Sequence, residues 1–331
     1  MNGRIAFAGV LAVCVAGAGA YVAWAMARGG GGDAPSAASA ASLRKLTASP
    51  YVAFLTSPKD VAPYDELYVA SLARPSRRLA VGLRCDRVAM NDAMGSCVEH
   101  NVGIGVTYTV TFFDSAFHEV AHGGGTGIPS RTRLSPSGRL AAVTSFTQGD
   151  SYLQAGQFST TTSIFDTHTG RAVVANLERL HVFRGGRAFD PLDRNFWGVT
   201  FASDSVFYAT MASGNTTWLV RGDLRTRTMR TVHENVECPS LSPDGARIAF
   251  KRRVASGAWR FTVLDLSTGA ETPLAEHESV DDQLAWLDGS KLAYGWQGAV
   301  WVVDADGGGR PRLLLRNAQS PTVVDPGLRS T

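Results

Sequence analysis

Leu241-Ser-Pro-Asp-Gly-Ala-Arg-Ile-Ala-Phe250 decides the fold, because the chain repeats it. It returns as Leu134-Ser-Pro-Ser-Gly-Arg-Leu-Ala-Ala-Val143 and, with Trp at the Ser position, as Ala285-Trp-Leu-Asp-Gly-Ser-Lys-Leu-Ala-Tyr294. Phe201-Ala-Ser-Asp-Ser-Val-Phe-Tyr208 is a degenerate copy. The Asp-Gly or Ser-Gly pair makes a tight turn, and the alternating apolar residues after it make a half-buried strand. A second element follows each full copy: Phe261-Thr-Val-Leu-Asp-Leu-Ser-Thr-Gly269, Thr162-Ser-Ile-Phe-Asp-Thr-His-Thr-Gly170 and Val300-Trp-Val-Val-Asp-Ala-Asp-Gly-Gly308. Each reads as a strand ending in a turn that Asp caps and Gly completes. A short last strand follows, as in Pro311-Arg-Leu-Leu-Leu315.

One unit is therefore four short strands in about 44 residues, the distance from Ser242 to Trp286. Four-stranded units at this period are the blades of a β-propeller. The phase places blades at 51–82, 83–127, 128–190, 191–236, 237–280 and 281–324, with an insertion in the third around Gly149 to Ser159. Seven blades would need about 39 residues each and break that phase. The expected fold is all-β, a six-bladed propeller over residues 50–325 with a short tail at 326–331. Blade 1 lacks an innermost strand, while Ser320-Pro-Thr-Val-Val324 is surplus at the other end. Thr322 to Val324 are thus expected to pair with the strand near Val52 to Phe54, leaving no open edge.

Outside the ring, Ile5 to Ala27 is an uncharged run of 23 residues between Arg4 and Arg28. As a helix it would be about 35 Å long, enough to cross a ~30 Å hydrocarbon core. Residues 1–28 are read as a signal anchor, so the chain is expected at the cell membrane as a single-pass protein with an extracytoplasmic propeller. Ala18-Gly19-Ala20 and Ala25-Met26-Ala27 keep a cleaved signal and secretion open, and Cys14 keeps a lipoprotein signal open. Gly29 to Ser42 is low-complexity sequence, and 29–49 reads as a flexible tether. Of the four cysteines, Cys85 and Cys97 flank a turn and are expected to form a disulfide, which suits an exported domain.

A net charge of +3 from 32 basic and 29 acidic residues gives no basic stripe, so no nucleic-acid partner is expected. His118-Glu-Val-Ala-His122 matches the zincin pattern, which needs a helix to bring both imidazoles to one face. Here a strand precedes it and Gly123-Gly-Gly125 follows, and in a strand the two rings stand about 13 Å apart. It is read as a surface turn, with no metal and no cofactor expected. No Gly-x-Ser-x-Gly elbow and no phosphate loop occur, and no catalytic residue is assigned. Aligning blades on the Asp-Gly turn places Arg131, Trp197, Glu237 and Asp281 near the starts of successive innermost strands. These four are the candidate binding residues of the channel mouth.

The repeat wording, Ser-Pro-Asp-Gly before Ile-Ala-Phe and then a strand with Asp-Leu and a Gly turn, resembles the TolB-type six-bladed propellers. Gly127-Ile-Pro-Ser-Arg131, Asn195-Phe-Trp-Gly-Val-Thr-Phe201, Glu237-Cys-Pro-Ser-Leu-Ser-Pro-Asp244 and Val280-Asp-Asp-Gln283 are similar to exported actinobacterial TolB-like proteins. The resemblance covers roughly residues 50 to 325 and speaks to fold, because propellers host many functions. The expected role is non-catalytic binding of a protein or cell-envelope component by a monomer. A hydrolase or lyase using the central pocket is the alternative.

Overall fold

A computed structural model of the chain describes residues 37–56, 66–103, 105–147, 159–255 and 257–327. The signal or anchor at 1–28, the first part of the tether, most of the blade-3 insertion and the end of the tail lie outside the described residues. No described helix is long and apolar enough to cross a membrane.

Six sheets, antiparallel but for one added strand in blade 4, pack side by side in a closed ring. The repeat places one sheet per unit. Blade 2 is Arg87–Met90, Met94–Val102, Val106–Asp114 and Glu119–Thr126. Blade 3 is Ile128–Leu134, Leu140–Phe146, Thr160–Asp166 and Ala172–Val174, and blade 5 is Glu237–Leu241, Arg247–Arg253, Trp259–Asp265 and Glu271–Pro273. Blade 6 has an innermost strand of two residues, Ala285–Trp286, then Lys291–Trp296, Ala299–Asp304 and Arg312–Arg316. Apolar clusters fill the junctions between blades. Phe112 and Phe165 serve blades 2 and 3, Phe207 and Trp218 serve 3 and 4, and Phe261 and Tyr294 serve 5 and 6. The repeated aspartates are turn caps: Asp265 accepts from Ser267 Oγ at 2.6 Å and from the Thr268 amide at 2.8 Å, which holds its carboxyl down at about 2.

Blade 1 closes the ring with both ends of the domain. Ala318–Val324 lies beside Tyr51–Thr56, which continues to Glu66–Ser71 and Arg74–Arg84. Tyr51 pairs with Val324, Val52 with Val323 and Ala53 with Thr322, the register expected from the surplus strand. The Thr322 hydroxyl also meets the Met90 backbone, tying the closing strand to blade 2. Residues 318–324 thus belong to blade 1, and blade 6 ends at Arg316 rather than at 324. Cys85 and Cys97 form a disulfide with Cα atoms 5.3 Å apart, where blade 1 hands over to blade 2. Cys238 is free and buried.

Two segments depart from the expected layout. Blade 3 was expected to run to 190, but its sheet ends at Val174. The chain then makes a short 3-10 turn at Leu177–Arg179 and crosses to blade 4, whose own strands are Asn195–Phe201, Val206–Ser213, Thr216–Asp223 and Thr228–Glu234. There His181–Arg184 adds parallel to the outer strand, and Arg187–Ala188 hairpins onto it, making six strands. Leu177, Leu180 and Val182 drive this detour by filling the blade 3–4 core.

The tether expected over 29–49 is ordered in its second half. Ala40–Thr47 is a helix capped by Ser39, whose hydroxyl accepts from the Ser42 amide, and the Ala38 amide donates to Ala80 at 2.9 Å. Leu43 supplies the reason: it is buried in the cluster of blades 1 and 2 with Val81 and Phe113. A peripheral site can relax around a deletion, so Leu43→Ala is expected to cost about 2 kcal/mol, the low end for a core Leu. A urea midpoint equal to that of the wild type would show that the helix lends the ring nothing.

Candidate binding site at the channel mouth

The innermost strands all begin at one end of the ring, which defines the mouth. Four of them carry a one-residue bulge there, opposite Ala53–Leu55 in blade 1, at Pro129–Arg131, at Trp197–Thr200 and at Glu237–Ser240. Bulges twist the strand and re-aim its side chains, and they concentrate near sites. Gly198, Cys238 and Ser320 sit at positive φ in three of them. At Gly198 glycine is required twice over, because a Cβ would also stand 2.7 Å from the Cys238 Cα.

The four candidate residues all reach the mouth. Arg131, from blade 3, contacts Asp281 on the opposite side of the ring, Nη2 to Oδ1 at 3.4 Å. Lys251, fully buried on the second strand of blade 5, donates to the same Asp281 oxygen. Burial alone would raise the Asp281 carboxyl, but Lys251 and Arg131 outweigh it and hold the group below the ordinary carboxylate range. Burial likewise opposes the Lys251 ammonium, and its anionic surroundings, Asp281 among them, lift it above its usual value. Glu237 accepts from Arg253 at 2.9 Å, and Trp197 packs with Cys238 and Trp259. The Trp259 ring lies 4.2 Å from Lys251 Nζ and 4.9 Å from the Arg253 guanidinium, cation–π distances. Trp197 and Glu237 are both only 1% exposed, so they form a floor and not a rim.

Above that floor is an open recess of about 520 Å³ between blades 4 and 5, walled by Asp193, Ser213 to Asn215 and Arg253. A second recess of about 170 Å³ lies over Arg87, Arg131, Asp282 and Trp296. Between them the channel itself is blocked. The segment before Ala285 crosses it: Gln283 donates to the Pro239 carbonyl at 2.8 Å and to Val199, and Arg133 reaches back to the Leu284 carbonyl at 3.2 Å. Burial lowers the Arg133 guanidinium to about 10, still charged at neutral pH. The recess beside Arg133, Gln283 and Thr322 is about 30 Å³, room for a water or two.

Sequence reasoning found Arg131, Trp197, Glu237 and Asp281 through their distance from the Asp-Gly turn. It missed Lys251, Arg253, Trp259, Arg133 and Gln283. Lys251 carried a signal, since it alternates with Ala249 on a strand side where a buried apolar residue belongs. Burial pushes the Cys238 thiol up, which disfavours the thiolate a nucleophile needs. The zincin-like stretch lies where a strand was expected. His118 ends a turn held by Asp114, and Glu119–Thr126 is the outermost strand of blade 2, with His122 on Thr111 at 3.2 Å. Among the described residues no three His, Cys, Asp or Glu are grouped to hold a metal ion.

No family model matches the sequence, and no curated protein does. Solved structures do. TolB from Acinetobacter baumannii is similar at 15% identity and a TM-score of 0.57, over 84% of this chain and 67% of that one. A puromycin-hydrolyzing peptidase from Mycobacterium tuberculosis is similar at 16% identity and a TM-score of 0.47, over 76% of this chain but 42% of its own. An oligogalacturonate lyase solved with manganese is similar at 10% identity and 0.47, over 78% and 74%. Identities this low speak to fold alone. Repeat wording, a ring of six blades, a closing strand from the C-terminus and the likeness to a solved TolB together give this chain the fold of a TolB-like six-bladed β-propeller.

Proposed function

We propose that this propeller is a non-catalytic binding module of the cell envelope, held at the membrane through residues 5–27 or released by signal cleavage, whose channel mouth docks a protein or envelope component. The carrying observation is the blocked channel. A partner meets a broad face with two open recesses, while the recess of about 30 Å³ beside Arg133 is too small for a sugar or peptide. The mouth's ionisable groups are also engaged with one another, Arg131 and Lys251 on Asp281 and Arg253 on Glu237, which suits a fixed docking surface better than acid–base work. The Cys85–Cys97 disulfide favours an oxidising compartment.

Photo-crosslinking in the native cell tests the reading. A photoreactive side chain at Asn215, exposed on the wall of the larger recess, is expected to give a discrete adduct. The same group at Ser267, exposed in a turn at the opposite end of the ring, is expected to give none. Adducts at 267 and not at 215 would place the docking face at the wrong end.

A further inference from the structure

Blade 4 is wider than its neighbour, and the excess carries a further recess away from the mouth. Blade 5 ends in a three-residue strand, Glu271–Pro273, whereas blade 4 extends two strands further. On that extension the residues alternate. Gly222, Met229 and Val182 form a buried row facing the core. The adjacent row, Arg221, Arg230 and Phe183, is in direct cross-strand register and turns outward into a recess of about 440 Å³.

Two guanidinium groups opposite each other on paired strands repel and weaken the sheet unless something lies between them. Among the described residues neither Arg221 nor Arg230 forms an ion pair, whereas the next arginine along, Arg184, is spent on Glu234 and the Trp218 ring. Asp223 shares the recess but accepts from the Arg225 amide in its own turn at 2.8 Å. Phe183, 37% exposed, flanks the pair, and Gly185 and Gly186, both at positive φ, border the recess with open space where a Cβ would stand.

We infer that this recess binds a phosphate monoester carrying a flat apolar group. The dianion lies between Arg221 and Arg230, whose planar forks match phosphate oxygens. The apolar group lies on Phe183. The volume falls within the roughly 300–1,000 Å³ of small-ligand sites. Nothing here depends on the role of the channel mouth.

Titration of the full chain with phenyl phosphate, inorganic phosphate, and phosphatidylcholine vesicles with and without phosphatidic acid tests it. Phenyl phosphate is expected to bind saturably and raise the melting temperature, with inorganic phosphate weaker. Arg221→Gln and Arg230→Gln should each weaken binding roughly tenfold or more, the loss of a charge-assisted contact. Both variants should melt no lower than wild type without ligand, since each relieves repulsion, and this separates a lost site from a lost fold. Phe183→Ala should bring phenyl phosphate down to the level of inorganic phosphate. Vesicle binding that needs phosphatidic acid and both arginines would identify a lipid headgroup as the source of the phosphate. Absence of saturable binding to every probe, or binding that survives the double substitution, overturns the assignment.

Discussion

A chain ended after Leu315 is expected to lose cooperative unfolding altogether, while one ended after Gly327 should melt within about a degree of the full chain. The difference is Ala318–Val324, the innermost strand of blade 1, although it comes last in sequence. Its loss strips the backbone partners from one flank of Tyr51–Thr56, all six of whose residues are buried. It also uncovers Val52, Phe54 and Leu315 in the blade 6–1 cluster, and removes Thr322 from Met90. Buried amides without partners cost about 1–3 kcal/mol each, and a domain has only about 5–15 kcal/mol to lose. A ring cannot absorb this locally, because every blade is packed between two others. Circular dichroism melts and limited proteolysis of the two chains decide the matter. An unchanged transition without residues 316–331 would mean that the closing strand is an accessory. Thr322→Val is the gentler companion: it keeps the strand and removes the Met90 bond, at a cost of about 1–2 kcal/mol.

This closure was legible because the repeat has a phase, and a strand missing at one end with a surplus at the other breaks it. The disulfide was legible from spacing and the turn between Cys85 and Cys97. What was hidden has physical reasons. The detour at 181–188 uses a parallel pairing of three residues and a two-residue strand, too short for any periodic signal. The helix at 40–47 is held by Leu43 in an otherwise Ala- and Ser-rich stretch, whose composition reads as linker. The channel block leaves no pattern because 276–284 is irregular, and its hold on the ring comes from side chains such as Gln283 crossing to backbone of other blades. At the mouth, alignment on the turn finds only residues in or just before the innermost strands. Their partners Lys251 and Trp259 stand on the second and third strands, outside its reach.

Asp281→Asn should be the most damaging single polar substitution in the ring, because it takes the carboxylate from a buried cation and does not merely remove a bond. Lys251 is fully buried, and Asp281 is its direct partner as well as that of Arg131. Removing one member of such a pair leaves a desolvated charge, for which buried sites give about 3–5 kcal/mol. The Asp281 side chain is itself 31% exposed, so water offsets part of this, and roughly 2–3 kcal/mol is expected. The pH dependence carries the signature. The folded carboxyl is depressed, so its contribution is whole above the unfolded value of about 3.9 and is lost as pH falls through the lower folded value. Urea midpoints should therefore separate wild type from Asp281→Asn by the same margin at pH 7 and pH 5, and the two should converge below about pH 4. Asp306→Asn, a change in an exposed turn, should differ from wild type by no more than about 0.5 kcal/mol at any of these values. A gap between wild type and Asp281→Asn that widens on acidification would show that the carboxyl is raised instead, with burial winning over Lys251 and Arg131. The mouth would then be held by packing of Trp197, Cys238 and Trp259 and not by its charges.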